Sequence, residues 1–264
     1  MRTRTKVWLI IAVSLIFIGC ILFTGIMKTL KWDFMKLSTV NYETNTYEIG
    51  EDFNSISINT DTADIEFVSS DDGKCTVVCH EQENAKHSVT VEEDTLTIEL
   101  IEERSVYDFV GYIGLNFDTP QITVYLPKTQ YDSLFIKEST GDIGVENITV
   151  DLLDLTVSTG DINLTDIECK NLISKGNTGD IFLKNVVATE KFYIERSTGD
   201  VRFDGSDAAE VFVTTDTGNV TGSLLTDKEF IAQTDTGRVE VPKTVNGGKC
   251  EIKTDTGDIK IIKN

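Results

Sequence analysis

The chain has 264 residues, 24 of them basic and 44 acidic, for a net charge of −20 at pH 7. Residues 1–36 hold six of the basic side chains and a single acid, so the rest of the chain carries 18 against 43, a net −25. A surface this acidic repels phosphate polymers and excludes nucleic acid as a partner. Anionic lipids and teichoic-type polymers are repelled too unless divalent cations bridge them, and basic proteins or peptides are electrostatically easier partners.

Residues 1–6 read as a short cytoplasmic leader carrying Arg2, Arg4 and Lys6. Val7 to Met27 follows with 21 uncharged residues, enough to cross the hydrocarbon core of a bilayer. The stretch is longer than the apolar part of a cleavable signal peptide and has no Ala-x-Ala site, so an uncleaved anchor is expected. Phe17-Ile-Gly-Cys20 resembles a lipoprotein cleavage box, but Ile21 to Met27 is apolar where a lipidated tail would be polar. Basic residues flank both ends, so the positive-inside rule barely selects an orientation. The usual arrangement for a short leader puts the N-terminus inside and everything after Lys28 outside the cell. Residues 28–46 read as a juxtamembrane linker.

From 47 to 264 the chain reads as one β-rich domain, irregular over 47–137 and regular over 138–264. Early segments at Cys75–Cys79, Ser88–Val91, Thr95–Leu100 and Gln121–Leu126 have strand character and are expected to be irregular coils closing the N-terminal end. Phe53-Asn-Ser-Ile-Ser-Ile58 and Thr60-Asp-Thr-Ala-Asp-Ile65 form a displaced repeat in which Ala63 stands where the later copies have glycine.

The regular copies centre on Gly141, Gly160, Gly179, Gly199, Gly218, Gly237 and Gly257, spaced 19 or 20 residues apart in Ser-Thr-Gly-Asp-Ile phrases. Self-similarity at this period marks a solenoid in which each copy is one coil. Two residues after each glycine stands Ile143, Ile162, Ile181, Val201, Val220, Val239 or Ile259. Further apolar columns lie four residues after it and five and seven before it. Apolar residues two apart give a strand on each side of the turn. The fold class is therefore all-β, a parallel β-solenoid of 19–20-residue coils behind one N-terminal transmembrane helix. Stacking at about 4.8 Å makes eight coils a rod roughly 40 Å long. The glycine is expected for positive φ at a tight corner, and only lysines blunt the edge of the last coil, Lys260 to Asn264.

Cys20 lies in the apolar segment, which leaves Cys75, Cys79, Cys169 and Cys250. Cys75 and Cys79 share a strand face about 13 Å apart, too far for a disulfide. Buried thiols acting as small hydrophobes explain all four better than a Cys75/Cys79/His80/His87 metal site, and no metal site is assigned.

Two columns are candidate sites. Asp142, Asp161, Asp180, Asp200 and Asp258 should form a ladder along one edge. Asn219 and Arg238 interrupt it, and Asp216 and Asp235 then appear before the glycine, which favours turn capping; a calcium ladder is the alternative. On the outward face Phe135, Ile173, Tyr193, Phe212 and Ile231 form an apolar stripe, expected to bind a partner or to be covered by the chain's own insertions. The stretch Glu102 to Pro120, with Tyr107, Phe109, Tyr112 and Phe117, reads equally as a binding lip, a cover for the stripe or a plug for the rod. No catalytic signature is present, and no cofactor is expected.

The Ser-Thr-Gly-Asp-Ile repeats, Leu126-Pro127 followed by Tyr131-Asp-Ser-Leu134, and Ile56-Ser-Ile58 with Asp64-Ile65-Glu66 together resemble a bacterial "putative adhesin" domain family of unknown function, over roughly Tyr47 to Ile262. The resemblance implies a right-handed β-helix-like solenoid, often behind a transmembrane segment, in cell-envelope proteins of Gram-positive bacteria, some linked with envelope-stress regulation. Six residues before the anchor leave no room for a cytoplasmic regulatory segment. The first expectation is a non-catalytic, adhesin-like binding module held in the membrane by residues 7–27, engaging a protein or another envelope component. The alternative is the ectodomain of an envelope-stress sensor or scaffold partnered through the helix. A glycan-cleaving enzyme comes third.

Overall fold

The computed structural model describes residues 3–33, 41–102, 118–244 and 246–263. The chain divides into two units, one holding the N-terminal helix α1 (Thr3–Thr29) and the other, Tyr42–Arg104 with Thr119–Asn264, holding the described strands. The aromatic stretch between Glu102 and Pro120 lies almost wholly outside the described residues.

The strands run in chain order as β1 (Tyr42–Ile49), β2 (Ser55–Asn59), β3 (Asp64–Ser69), β4 (Cys75–Gln82), β5 (Ala85–Glu92), β6 (Thr95–Glu102), β7 (Gln121–Leu126), β8 (Gln130–Thr140), β9 (Ile143–Glu146), β10 (Thr149–Thr159), β11 (Ile162–Thr178) and β12 (Ile181–Thr198). They continue as β13 (Val201–Thr217), β14 (Val220–Leu224), β15 (Lys228–Thr236), β16 (Val239–Glu240), β17 (Gly248–Thr256) and β18 (Ile259–Lys263).

Two parallel ladders organise them. Residues before each glycine pair in the order β6, β2, β8, β10, β11, β12, β13, β17, β15. Residues after it pair in the order β7, β3, β9, β11, β12, β13, β14, β18, β16. The sequence columns become spatial columns, as in Leu153↔Leu172 and Phe192↔Val211. Their side chains fill one continuous core from Ile56 to Ile261.

Stacking order departs from chain order at the far end. β17 pairs with both β13 and β15, and β18 with both β14 and β16. The coil around Gly257 therefore sits between those of Gly218 and Gly237. This corrects the expectation that Lys260 to Asn264 form the open edge: the outermost coil is that of Gly237, where Val239 is 42% exposed although its counterparts are buried. A buried ion pair sits at this crossing, with Lys228 Nζ 2.6 Å from Asp207 Oδ1 and also donating to the Ala208 carbonyl.

The other end is also unlike the expectation. β4 pairs antiparallel with β7 and with β1, and β5 antiparallel with β6. Of the four early segments, β4 and β5 form a turned-back antiparallel cap and not irregular coils, whereas β6 and β7 run parallel to β2 and β3 and continue the two ladders. The strand region begins at Tyr42, inside the stretch read as linker.

Two features of the corner explain the glycines. Most of them have φ between 131° and 155°, but Gly218 has no such φ. What all seven share is close approach. A Cβ on Gly160, Gly179, Gly199, Gly218, Gly257 or Gly237 would lie 1.9–2.0 Å from the carbonyl oxygen of the preceding glycine in the stack, and one on Gly141 2.0 Å from that of Ala63. Ala63 begins this glycine column. Gly179→Ala is expected to cost about 3 kcal/mol or more in urea unfolding. Gly144→Ala should stay within about 0.5 kcal/mol, because its nearest neighbour would be 3.7 Å away. Equal losses for the two would refute close approach as the constraint.

Candidate functional site

The aspartate ladder is built by the same corner. Each backbone N–H after the glycine meets a side-chain oxygen from the neighbouring coil. Asp142 N donates to Asp64 Oδ1 at 3.0 Å, Asp161 N to Asp142 at 2.8 Å, Asp180 N to Asp161 and Asp200 N to Asp180 at 2.7 Å. The series continues through Asn219 N to Asp200 Oδ1, Asp258 N to Asn219 Oδ1 and Arg238 N to Asp258 Oδ1. The carboxylates thus cap the next coil's amide. In space Arg238 is no interruption but the last rung. Its guanidinium turns back onto Asp258 Oδ2 at 2.9 Å, and that carboxyl is held below its usual range by the Arg238 backbone and side-chain hydrogen bonds. A calcium ion would compete with these amides for the same oxygens.

Beside the ladder runs a shallow groove of about 570 Å³ between Asp161, Asp180, Asp200, Asn163, Phe182 and Arg202, continued by one of about 380 Å³ past Asn219, Arg238 and Asp258. The Arg202 guanidinium stands 5.6 Å from the centre of the Phe182 ring. Column reading missed this groove because its aromatic floor occurs in a single coil.

The outward stripe is on the other ladder. Phe135 (41%), Tyr193 (38%) and Ile231 (49%) are exposed, while Ile173 and Phe212 are half-buried. Register brings Ile173, Tyr193 and Phe212 side by side. Asp154 separates Ile173 from Phe135, and Glu251, through the inserted strand, separates Phe212 from Ile231. Lysines lie over the rings: Lys175 Nζ is 5.4 Å from the Tyr193 centroid, and Lys191 and Lys249 are 5.1 and 5.0 Å from that of Phe212. Such contacts use the lysine's charge and its apolar stem together. Lys249 and Lys253 both bond Glu251 and hold its carboxyl down to about 2.

Polar groups also enter the core. Ser174 and Gly176 make room for Arg196, which is 1% exposed and donates to Val157 O at 3.2 Å and Ser174 Oγ at 3.3 Å. Burial lowers its guanidinium to about 10. Glu138 accepts from Ala63 N at 3.0 Å through Oε1, while Oε2 has no hydrogen-bond partner among the described residues. Burial first, then Asp64, Asp142 and Asp61, pushes Glu138 up to about 8.

The four cysteines of the β domain are free thiols, buried and raised to about 12 by that burial. His80 leaves the set in which the sequence grouped it, stacking on Tyr42 at 5.1 Å and meeting Thr44 Oγ1 at 3.1 Å.

A core of stacked parallel strands, a glycine–carbonyl spine and a side-chain ladder define a repeat-built all-β protein. The family model that matches, Toastrack DUF4097, spans residues 53–264, and the chain belongs to that family. Among solved structures it is similar to a "putative adhesin" from Bacteroides fragilis, at 20% identity and TM-score 0.55, covering 84% of this chain and 97% of that one. It is also similar to a "putative lipid binding protein" from Parabacteroides distasonis, at 16% identity and TM-score 0.46, covering 85% and 98%. A "putative adhesin" from the same organism matches at 15% identity and TM-score 0.44, covering 85% and 98%. At these identities the first likeness speaks to fold alone. No functionally curated protein matches the chain.

Two outcomes follow from the ladder and the buried acid. Asp180→Ala should lose about 1 kcal/mol in urea unfolding, whereas Asp180→Asn, which keeps the acceptor as Asn219 does, should be near neutral, and added calcium should leave the melting temperature unmoved. A calcium-dependent rise in melting that Asp180→Ala removes would point to a calcium ladder instead. For Glu138, the folded chain keeps a proton between the ordinary carboxylate range and pH 8 that the unfolded chain gives up. Stability should therefore fall as pH rises through that window. Glu138→Gln should flatten the dependence, and an unchanged pH profile of melting would contradict it.

Proposed function

We propose that this chain is a single-pass envelope protein whose β domain works by binding and not by catalysis. The domain is read as a right-handed parallel β-solenoid of 19–20-residue coils, a reading supported by the parallel registers and by the family it belongs to. Anchoring rests on the helix, where Lys6–Thr29 has a mean hydropathy of 2.8 and none of its apolar window is buried. Such a helix is long enough to span the hydrocarbon core. The β domain then lies outside the cell.

The observation that carries the binding reading is the row Ile173–Tyr193–Phe212, with Phe135 and Ile231 beyond it. Large apolar side chains keep exposed surface there while flanking lysines stand over the rings. Aromatic rings with apolar bodies and polar edges are the residue type that interfaces favour. The lysines beside the row are matched by carboxylates, Lys249 and Lys253 by Glu251 and Lys191 by Glu210, so the row offers apolar area framed by balanced charge, suited to a protein or another envelope component. The "adhesin" and "lipid binding" words printed for the similar structures belong to those proteins, and for this chain they support only the coarse reading of a binding module.

Residues 37–264 should retain material from solubilised envelopes, and Tyr193→Asp with Phe212→Asp should abolish retention while far-UV circular dichroism and melting stay close to the parent. Equal retention by both forms would remove the stripe from the interface. No retention by either would move the function to the membrane helix.

A further inference from the structure

The antiparallel cap contains three chemically distinct ligand types facing one another. Strand alternation on β4 turns Cys75, Val77, Cys79 and Glu81 inward, so a carboxylate with no exposed surface lies at the end of an otherwise apolar row. His87 from β5 comes against it, 4% exposed. The Cys79 thiol, the Glu81 carboxylate and a His87 ring nitrogen lie within 4.8 Å of one another, all buried.

The surrounding hydrogen bonds sort the atoms. Thr60 Oγ1 holds His87 Nε2 at 2.9 Å, which leaves Nδ1 facing Glu81 Oε2 at 2.8 Å. Asn45 Nδ2 donates to Glu81 Oε1 at 2.8 Å, which leaves Oε2 as the inward oxygen. The His87 N–H also donates to Oε2 at 2.6 Å, and Tyr47 Oη donates to the His87 carbonyl at 3.2 Å, fixing the backbone that carries the ring. An imidazole held at one nitrogen by a hydroxyl, and a carboxylate held at one oxygen by an amide, is the outer-shell arrangement that orients metal ligands. The same groups read as hydroxyl, imidazole and carboxylate, the order of a hydrolase triad. Thr60 is only 7% exposed, however, so its hydroxyl presents no face to a substrate.

We propose that Cys79, Glu81 and His87 form a binding site for a divalent transition metal of borderline softness, zinc above all. Thiolate, imidazole and carboxylate together select such an ion over calcium or magnesium. Bond lengths of about 2.0–2.3 Å would set neighbouring ligands roughly 3.3–3.8 Å apart. The Nδ1–Oε2 pair must then open by about half an ångström to admit the ion. On binding, the Cys79 thiol loses its proton to solvent. A neutral His87 carries its proton on Nε2, and the Thr60 hydroxyl becomes the acceptor of that hydrogen bond. Thiolate and carboxylate together neutralise the ion's two positive charges, so the buried site carries no net charge. A water entering with the ion fills the fourth position.

The test uses the full untagged chain in detergent micelles. After loading with zinc and gel filtration, elemental analysis should find one zinc per chain, with about one proton released per ion in weak buffer. Cobalt(II) in its place should give intense tetrahedral visible bands and a thiolate-to-cobalt charge-transfer band. Cys79→Ala should lose the charge-transfer band, whereas Cys75→Ala, on the same strand face, should keep it. His87→Ala and Glu81→Gln should each weaken zinc binding at least tenfold. A wild-type chain that retains no zinc would overturn the proposal, as would a cobalt spectrum unchanged by Cys79→Ala. The wild-type measurement stands even if a variant fails to fold.

Discussion

Everything in the β domain depends on how closely successive corners approach. With the carbonyl of one glycine about 2 Å from where the next coil's Cβ would be, no side chain fits at the corner. This separation sets the parallel register, since Gly160 N reaches Thr178 O at 2.9 Å only when the coils stack without offset. The register aligns the apolar columns into one core and brings each aspartate carboxylate to the next coil's amide. A single steric condition thus produces the spine, the core and the ladder together. The hydrogen bonds it permits are each worth only about 1 kcal/mol, but they repeat along the stack and leave few backbone groups unpaired.

Much of this was legible in the sequence, because in a stacked repeat a sequence column is a spatial column. Leu134, Leu153 and Leu172 stand at one repeat position and lie in one buried row. The positions of Phe135, Ile173, Tyr193, Phe212 and Ile231 on the outward face follow from the same alternation. Their surroundings do not: which lysine reaches which ring depends on neighbours one coil away, and Lys191 and Lys249 converge on Phe212 from coils that are not consecutive in the chain.

Three features escaped pattern reading for physical reasons. The order of the last coils is invisible to periodicity, because the coils of Gly237 and Gly257 carry the same columns. Arg238 has no side-chain acceptor to offer a following amide, which suits it to the end of the ladder. The cap was hidden because alternation gives the same inward residues in parallel and antiparallel strands. The meeting of Glu81 with His87 follows from a hairpin; the set weighed in the sequence, Cys75, Cys79, His80 and His87, held His87 but left out Glu81 and included His80, which the strand turns away. The glycines were read correctly as corners, but φ was only half the reason, as Gly218 shows.

The threading of β17 and β18 between older neighbours has a consequence for how the molecule comes into being. Residues 228–240 leave the ribosome before residues 248–263, yet in the finished stack the later segment separates them from β13 and β14. A segment that joined the growing stack as soon as it was made would occupy its successor's berth and would have to be evicted. The last rungs must therefore close after synthesis has passed them, as one event involving both segments. Coil-by-coil growth in step with translation ends at β13 and β14.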